Sequence, residues 1–103
     1  MVLQFATFPV GPDAGQSLSP VVAQSLEVIE ASGLEYQLTS MGTIVEGEWD
    51  ELMEIVKKCH QNIGEKFSRV YTVITIDDRK GAQGRLKGKI ESVEEKAGKK
   101  FKK

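Results

Sequence analysis

The sequence is short of the residues that disulfides, metal centres and nucleophilic catalysis use. It has one cysteine and one histidine among 103 residues. The single cysteine, Cys59, excludes an internal disulfide and suits a reducing compartment. Cys59 and the adjacent His60 would point about 100° apart on a helix, so they cannot form a catalytic dyad. We therefore expect no catalytic residue, no metal site and no resident cofactor.

Long hydrophobic runs are missing as well. No apolar stretch approaches the roughly 20 residues that a membrane-spanning helix needs. Residues 1–5 show neither the basic region nor the cleavage-site pattern of a signal peptide. Together with the single cysteine, these absences predict a cytoplasmic protein with no membrane partner.

Composition and charge predict one globular domain with a basic end. The sequence is 40% hydrophobic and 28% charged, which is ordinary for a globular protein. Its length fits a single domain over residues 1–98, followed by a basic tail at 99–103. Residues 79–103 carry a balance of +7 and residues 1–78 a balance of −8. The acidic body argues against nucleic-acid binding, whereas the basic end suits an acidic partner or a second subunit.

Hydrophobic periodicity and turn residues divide the chain into seven predicted elements. Strands are predicted at 2–9 and 68–77 and in a hairpin across 34–47, and helices at about 19–32, 48–63 and 83–97. The order β-α-β-β-α-β is the ferredoxin-like pattern. The predicted fold class is therefore α+β: a four-stranded antiparallel sheet with two helices on one face, plus a C-terminal helix.

The first and last predicted strands are apolar on both faces. In the last strand, Ile74 and Ile76 point to one side while Tyr71 and Val73 point to the other. Two helices can cover only one face of the sheet, and an exposed apolar patch usually marks association. We therefore predict self-association through the second sheet face, as a dimer or a tetramer.

The predicted hairpin carries more hydrogen-bonding chemistry than a chain reversal needs. Its polar residues are Thr39, Ser40, Thr43 and Glu46. The turn is predicted at Met41-Gly42, because glycine supplies the positive φ that tight hairpin turns use. The hairpin is thus a candidate small-molecule site. The alternative is a purely structural role, in which the threonines are ordinary strand residues and the serine is an ordinary turn residue.

Two further hydroxyl residues are candidates for the same space. Ser17 precedes a helix start at Ser19-Pro20, where backbone N–H groups can hold a ligand oxygen. Helix capping alone also explains serines at such a position. Thr7 lies near the end of the first strand, and its alternative role is a cross-strand contact.

Several segments resemble the small thiamine-binding protein family. They are residues 8–11, 17–19, 33–36, 41–47 and 76–79. The resemblance extends over roughly residues 1–80, and the Met-Gly-Thr hairpin and the Ile-Asp-Asp-Arg segment are its specific parts. It implies a ferredoxin-like homo-oligomer that assembles through sheet contacts. It also implies binding of thiamine or its hydroxymethylpyrimidine part, without known catalysis.

The resemblance implies a set of ligand-binding residues. A thiamine site needs hydrogen-bonding groups for the aminopyrimidine edge, an apolar surface for the rings, and negative charge near the thiazolium. The predicted residues are Thr7, Ser17, Thr39, Ser40, Met41, Gly42, Thr43 and Glu46. In this scheme the hydroxyls bind the pyrimidine edge and Met41 forms an apolar wall. Glu46 balances the thiazolium or accepts a hydrogen bond from the pyrimidine.

We therefore predict non-catalytic binding of thiamine or a related hydroxymethylpyrimidine compound. Two alternatives come from other classes of protein. One is a regulatory or structural oligomer with no small ligand, which would bind none of the thiamine-type compounds. The other is an enzyme acting on a small heterocycle, which would lose turnover but not binding in a Glu46→Gln variant.

Overall fold

The computed structural model describes residues 1–12, 14, 19–81 and 85–98. Within these ranges the elements, in chain order, are β1 Val2–Pro9, α1 Ser19–Ser32, β2 Tyr36–Thr39, β3 Gly42–Glu46, α2 Trp49–Gly64, β4 Val70–Asp77 and α3 Arg85–Ala97. Each predicted helix and strand is present. The predicted bounds of β1, α1, α2 and β4 differ from the observed bounds by at most two residues. Residues 83–84, predicted to begin the last helix, and the predicted tail at 99–103 lie outside the described residues.

The described strands form one antiparallel sheet in the order β2-β3-β1-β4. β1 lies in the middle, where Leu3 pairs with Val45 of β3 on one side and with Ile76 of β4 on the other. Helices α1 and α2 provide the two crossovers of the ferredoxin-like pattern. The predicted fold class is confirmed, and β2 and β4 are the edge strands.

The core lies between one face of the sheet and helices α1 and α2. Its buried members are Leu3, Phe5 and Val45 from the sheet, Ile29 from α1, and Leu52, Ile55, Val56 and Cys59 from α2. The α2 residues form an apolar stripe along one side of the helix. Burial of each large aliphatic side chain contributes about 1.5–3 kcal/mol. Cys59 is part of this core, and its burial raises the pKa of its thiol.

The edge strand β4 leaves apolar side chains in solvent on both of its faces. Tyr71, Val73, Ile74 and Ile76 are each between 38% and 51% exposed. Ile74 and Ile76 share the helix-side face with Leu3 and Phe5, to which they are paired, yet α1 and α2 do not cover them fully. The predicted apolar character of both faces is therefore present as exposed surface.

The beginning of helix α3 packs against the sheet. Leu86 is buried, whereas Val93, two turns further along the helix, is 58% exposed. Among the described residues, no helix combines the length with the apolar content needed for a bilayer span.

Candidate functional site

The β2–β3 hairpin reverses direction over Ser40-Met41, one residue earlier than predicted. Thr39 and Gly42 are the last paired residues of the two strands. The Thr39 hydroxyl donates to the Gly42 carbonyl oxygen at 2.7 Å and accepts from the Met41 N–H at 3.2 Å. A threonine that bonds its local backbone in this way stabilises a turn. The prediction at Met41-Gly42 was wrong by one residue because it assigned Gly42 to the turn rather than to the strand.

Gly42 begins β3, and its lack of a side chain serves the contact between strands. A Cβ atom at this position would lie 2.8 Å from the backbone carbonyl oxygen of Phe5 in β1. That separation is shorter than a carbon atom tolerates, so only glycine lets β3 approach β1 this closely. The close approach holds the hairpin against the end of β1 that carries Thr7.

A cleft of about 290 Å³ lies between the hairpin, β1 and α1. The sheet contributes Phe5, Thr7, Leu38 and Thr43, and α1 contributes Val21, Val22 and Ser25. Apolar side chains form most of the walls, and the polar side chains among the described lining residues are hydroxyls. Such a lining, apolar with a few polar groups, is typical of small-molecule sites.

Most of the predicted ligand-binding residues meet at this cleft. Those that line it are Thr7, Thr39, Ser40, Met41, Gly42 and Thr43. Ser17 lies outside the described residues. Glu46 lines a different cleft, formed with Arg79 and the segment 33–35. The structure thus brings six predicted residues together and separates the carboxylate from them.

The position of Glu46 follows from strand geometry. Thr43 and Glu46 are three residues apart in β3, so their side chains point to opposite faces of the sheet. The Glu46 carboxylate accepts a hydrogen bond from the Leu86 N–H at 3.5 Å. That N–H belongs to the first turn of α3, where the helix dipole favours an anion. Glu46 therefore anchors the start of α3, away from the hairpin hydroxyls.

The wall from α1 was missed by the sequence analysis. Val21, Val22 and Ser25 stand on neighbouring turns of α1 and face the end of the sheet. Helical spacing of i, i+1 and i+4 places these three residues on one side of the helix, which is a signal that the sequence contains. Tertiary packing determines that this side of α1 lies opposite the hairpin.

Thr43 is the most buried of the described polar residues that line the cleft. Its side chain is 9% exposed. Its hydroxyl makes no hydrogen bond with any described residue. About nine in ten buried polar groups are hydrogen-bonded, and leaving one without a partner costs about 1–3 kcal/mol. A bound molecule in the cleft would supply the missing partner.

Thr7 makes the cross-strand contact that was the alternative to ligand binding. Its hydroxyl oxygen lies 2.7 Å from that of Thr72, its partner in β4. The Thr72 oxygen in turn lies 2.7 Å from His60 Nδ1 in α2. Thr7 also lines the cleft, so the contact and the ligand role are compatible.

The chemistry available in the cleft is that of a neutral binding site. No charged side chain is among the described residues that line it. No group of three potential metal ligands occurs in the described part of the chain. Hydroxyls with apolar walls can bind a flat molecule by stacking and edge hydrogen bonds. They offer no general base for proton transfer.

Fold and cleft together define a small ferredoxin-like α+β protein with a cleft beside its hairpin, whose described lining residues carry no charge. The family described as "Thiamine-binding protein" matches residues 3–94 of this chain. The chain belongs to the thiamine-binding protein family, and the resemblance seen in the sequence is confirmed.

Relatives in this family are found in archaea and bacteria. The chain is 41% identical over 95 residues to a UPF0045 protein of Methanothermobacter thermautotrophicus, covering 90% of this chain and 95% of the relative. It is 39% identical over 90 residues to the UPF0045 protein YqgV of Bacillus subtilis, covering 82% and 86%. Their names assign no activity.

Solved structures share the fold. A hypothetical protein of Methanocaldococcus jannaschii superimposes with a TM-score of 0.81 at 29% identity, covering 91% of this chain and 95% of that one. A candidate thiamine biosynthesis/salvage protein of Thermotoga maritima gives 0.74 at 24% identity, covering 89% and 96%. The second likeness shows the fold alone.

Proposed function

We propose that this protein is a cytoplasmic binder of thiamine or a related hydroxymethylpyrimidine compound, held in the cleft without chemical change. The buried Thr43 hydroxyl carries the proposal, because it lines the cleft and has no partner among the described residues. The family description favours thiamine as the class of ligand. The thiamine-related name of the Thermotoga structure supports the same class.

The aminopyrimidine half of thiamine suits the cleft better than the thiazolium half. An aminopyrimidine is flat and neutral, with an amino donor and ring-nitrogen acceptors that hydroxyls can bind. The volume of about 290 Å³ lies at the lower end of the roughly 300–1,000 Å³ usual for small-molecule sites. A cation would lose hydration in the cleft, where no carboxylate stands among the described lining residues to compensate for that loss. We therefore place the thiazolium at the open mouth of the cleft.

Sequestration or delivery of the vitamin is the proposed role, in preference to catalysis. The serine and threonine hydroxyls that line the cleft have no adjacent base among the described lining residues to activate them as nucleophiles. His60 reaches the cleft only through Thr72 and Thr7. The second candidate is an enzyme acting on a small heterocycle, and turnover of such a compound by the purified protein would favour it.

The proposal is tested by calorimetric titration with thiamine, thiamine phosphates and hydroxymethylpyrimidine. We expect at least one of these compounds to bind with micromolar affinity or tighter. Ser25→Phe should abolish that binding by filling the cleft, since Ser25 stands on its α1 wall. The matched control is Glu46→Gln in the second cleft, which should bind as the wild type does.

Two outcomes would contradict this account. Folded, ligand-free protein that binds none of the compounds would favour a regulatory or structural oligomer. Binding lost in Glu46→Gln but kept in Ser25→Phe would move the site to the second cleft. Circular dichroism of each variant separates loss of the ligand from loss of the fold.

We further propose self-association through β4 and the sheet face that α1 and α2 leave open. Its support is the apolar surface of β4, because a long, exposed apolar edge strand is an association surface. We expect the wild type to sediment as a dimer or tetramer and Val73→Lys to shift it toward monomer. Gln61→Lys, an equal charge change on exposed α2, is the control. A monomeric wild type at micromolar concentration would refute the proposal.

A further inference from the structure

Three side chains form a continuous hydrogen-bonded row from the surface of α2 to the cleft. His60 Nδ1 lies 2.7 Å from the Thr72 hydroxyl oxygen, which lies 2.7 Å from that of Thr7. We call this row the Thr7–Thr72–His60 relay. His60 is exposed and Thr7 is one of the residues lining the cleft. Thr72 is not among the described lining residues, so the two outer members meet only through it.

The number of protons in the relay distinguishes its two possible directions. Each threonine hydroxyl carries one proton, and a neutral imidazole carries one on either ring nitrogen. If His60 Nδ1 accepts from Thr72, then Thr72 accepts from Thr7, and both hydroxyl protons are used inside the protein. If Nδ1 donates to Thr72 instead, one hydroxyl proton is left over.

The direction that uses both protons is favoured energetically. Neither Thr7 nor Thr72 makes another side-chain hydrogen bond with a described residue. Both are partly buried, and a donor without an acceptor in such a place costs more than an idle lone pair. The second ring nitrogen of His60 then carries the ring proton, and this N–H can donate a hydrogen bond to water because the residue is exposed.

We infer that His60 and Thr72 are positioning residues that make the Thr7 hydroxyl a hydrogen-bond acceptor toward the cleft. Because the Thr7 hydroxyl donates its proton to the hydrogen bond with Thr72, only the lone pairs of its oxygen remain for a ligand. Thr7 then selects a molecule with an N–H donor at that point, such as the amino group of an aminopyrimidine. This inference rests on the proposed function and adds to it the chemical group that Thr7 recognises.

Ligand titrations test the inference through Thr72, which makes no direct contact in the proposed site. Thr72→Val should weaken binding of hydroxymethylpyrimidine about three- to tenfold, which is the effect of one neutral hydrogen bond. Thr72→Ser keeps the hydroxyl and should bind as the wild type does. An analogue lacking the amino group should be affected by neither substitution. Equal losses for both probes, or no loss in Thr72→Val, would overturn the inference.

A double-mutant cycle separates positioning from a general structural effect. In a Thr7→Val background the relay has no end in the cleft, so adding Thr72→Val should cause no further loss of affinity. Additive losses would show that Thr72 acts through packing and would overturn the inference.

The direction of the relay is also measurable without a ligand. His60 is the single histidine of the chain, so its ring nitrogens give one set of signals in a long-range ¹H–¹⁵N spectrum of the full-length protein. On the neutral ring we expect an unprotonated Nδ1 whose resonance moves in Thr72→Val. A protonated Nδ1 would overturn the inference. If thiamine, its phosphates and hydroxymethylpyrimidine all fail to bind while Nδ1 is unprotonated, the proposed function is refuted and the relay stands.

Discussion

Replacing Thr43 with valine is expected to weaken hydroxymethylpyrimidine binding about tenfold or more while leaving the folded protein as stable as before, or more stable. Valine has nearly the shape of threonine without the hydroxyl. In the ligand-free protein that hydroxyl makes no hydrogen bond with a described residue, so its removal breaks no hydrogen bond among them and leaves one polar group fewer to bury. In the complex the same change removes a hydrogen bond in a desolvated cleft. Calorimetry gives the affinity, and urea unfolding gives the free energy of unfolding.

The opposite signs of these two effects identify a residue kept for binding. Thr75→Val is the matched control, because Thr75 is an exposed β4 residue that does not line the cleft. It should not change the free energy of ligand binding by more than about 0.5 kcal/mol. A Thr43→Val protein that unfolds more easily and binds normally would show that the hydroxyl serves the fold instead.

Gly42→Ala is expected to destabilise the protein by about 2 kcal/mol and to weaken ligand binding with it. The added Cβ would stand 2.8 Å from the Phe5 carbonyl oxygen, so either β3 or β1 must move. Relief of such an overlap costs about 1–3 kcal/mol. For a domain near 100 residues, that loss lowers Tm by about 10 °C. The cleft should open because β1 and the hairpin are two of its three walls.

Gly64→Ala provides the control for this second change. Its Cβ would lie 3.8 Å from a Val70 methyl group, an ordinary contact, at the last residue of α2. We expect Tm to stay level or to rise slightly, since alanine favours a helix by up to about 1 kcal/mol over glycine. Equal destabilisation by both substitutions would contradict the assigned role of Gly42.

The fold was predictable because its signals are local and mutually consistent. The stripe from Leu52 to Cys59 identifies α2 and its buried face, and the β-branched run of β4 identifies a strand. The hairpin turn was misplaced by one residue because Gly42 was explained by turn geometry. Its actual constraint is a contact with β1, 37 residues earlier in the chain. A single sequence does not show such a distant contact.

The candidate site was predictable only in part, for the same reason. Residues adjacent in the hairpin stayed together, whereas the α1 wall depends on how α1 packs on the sheet. Glu46 was grouped with the hydroxyls by nearness in sequence, although strand alternation alone places it on the face opposite Thr43. The burial of Thr43 is also a tertiary property, and it is the feature that distinguishes this threonine from an ordinary strand residue.

The most direct test of the central claim is a crystal structure of the protein with hydroxymethylpyrimidine. We expect the ring between the hairpin and α1, with a polar ligand atom within about 3.2 Å of the Thr43 hydroxyl oxygen. A ring seated in the cleft that Glu46 and Arg79 line, with Thr43 still without a partner, would contradict the account.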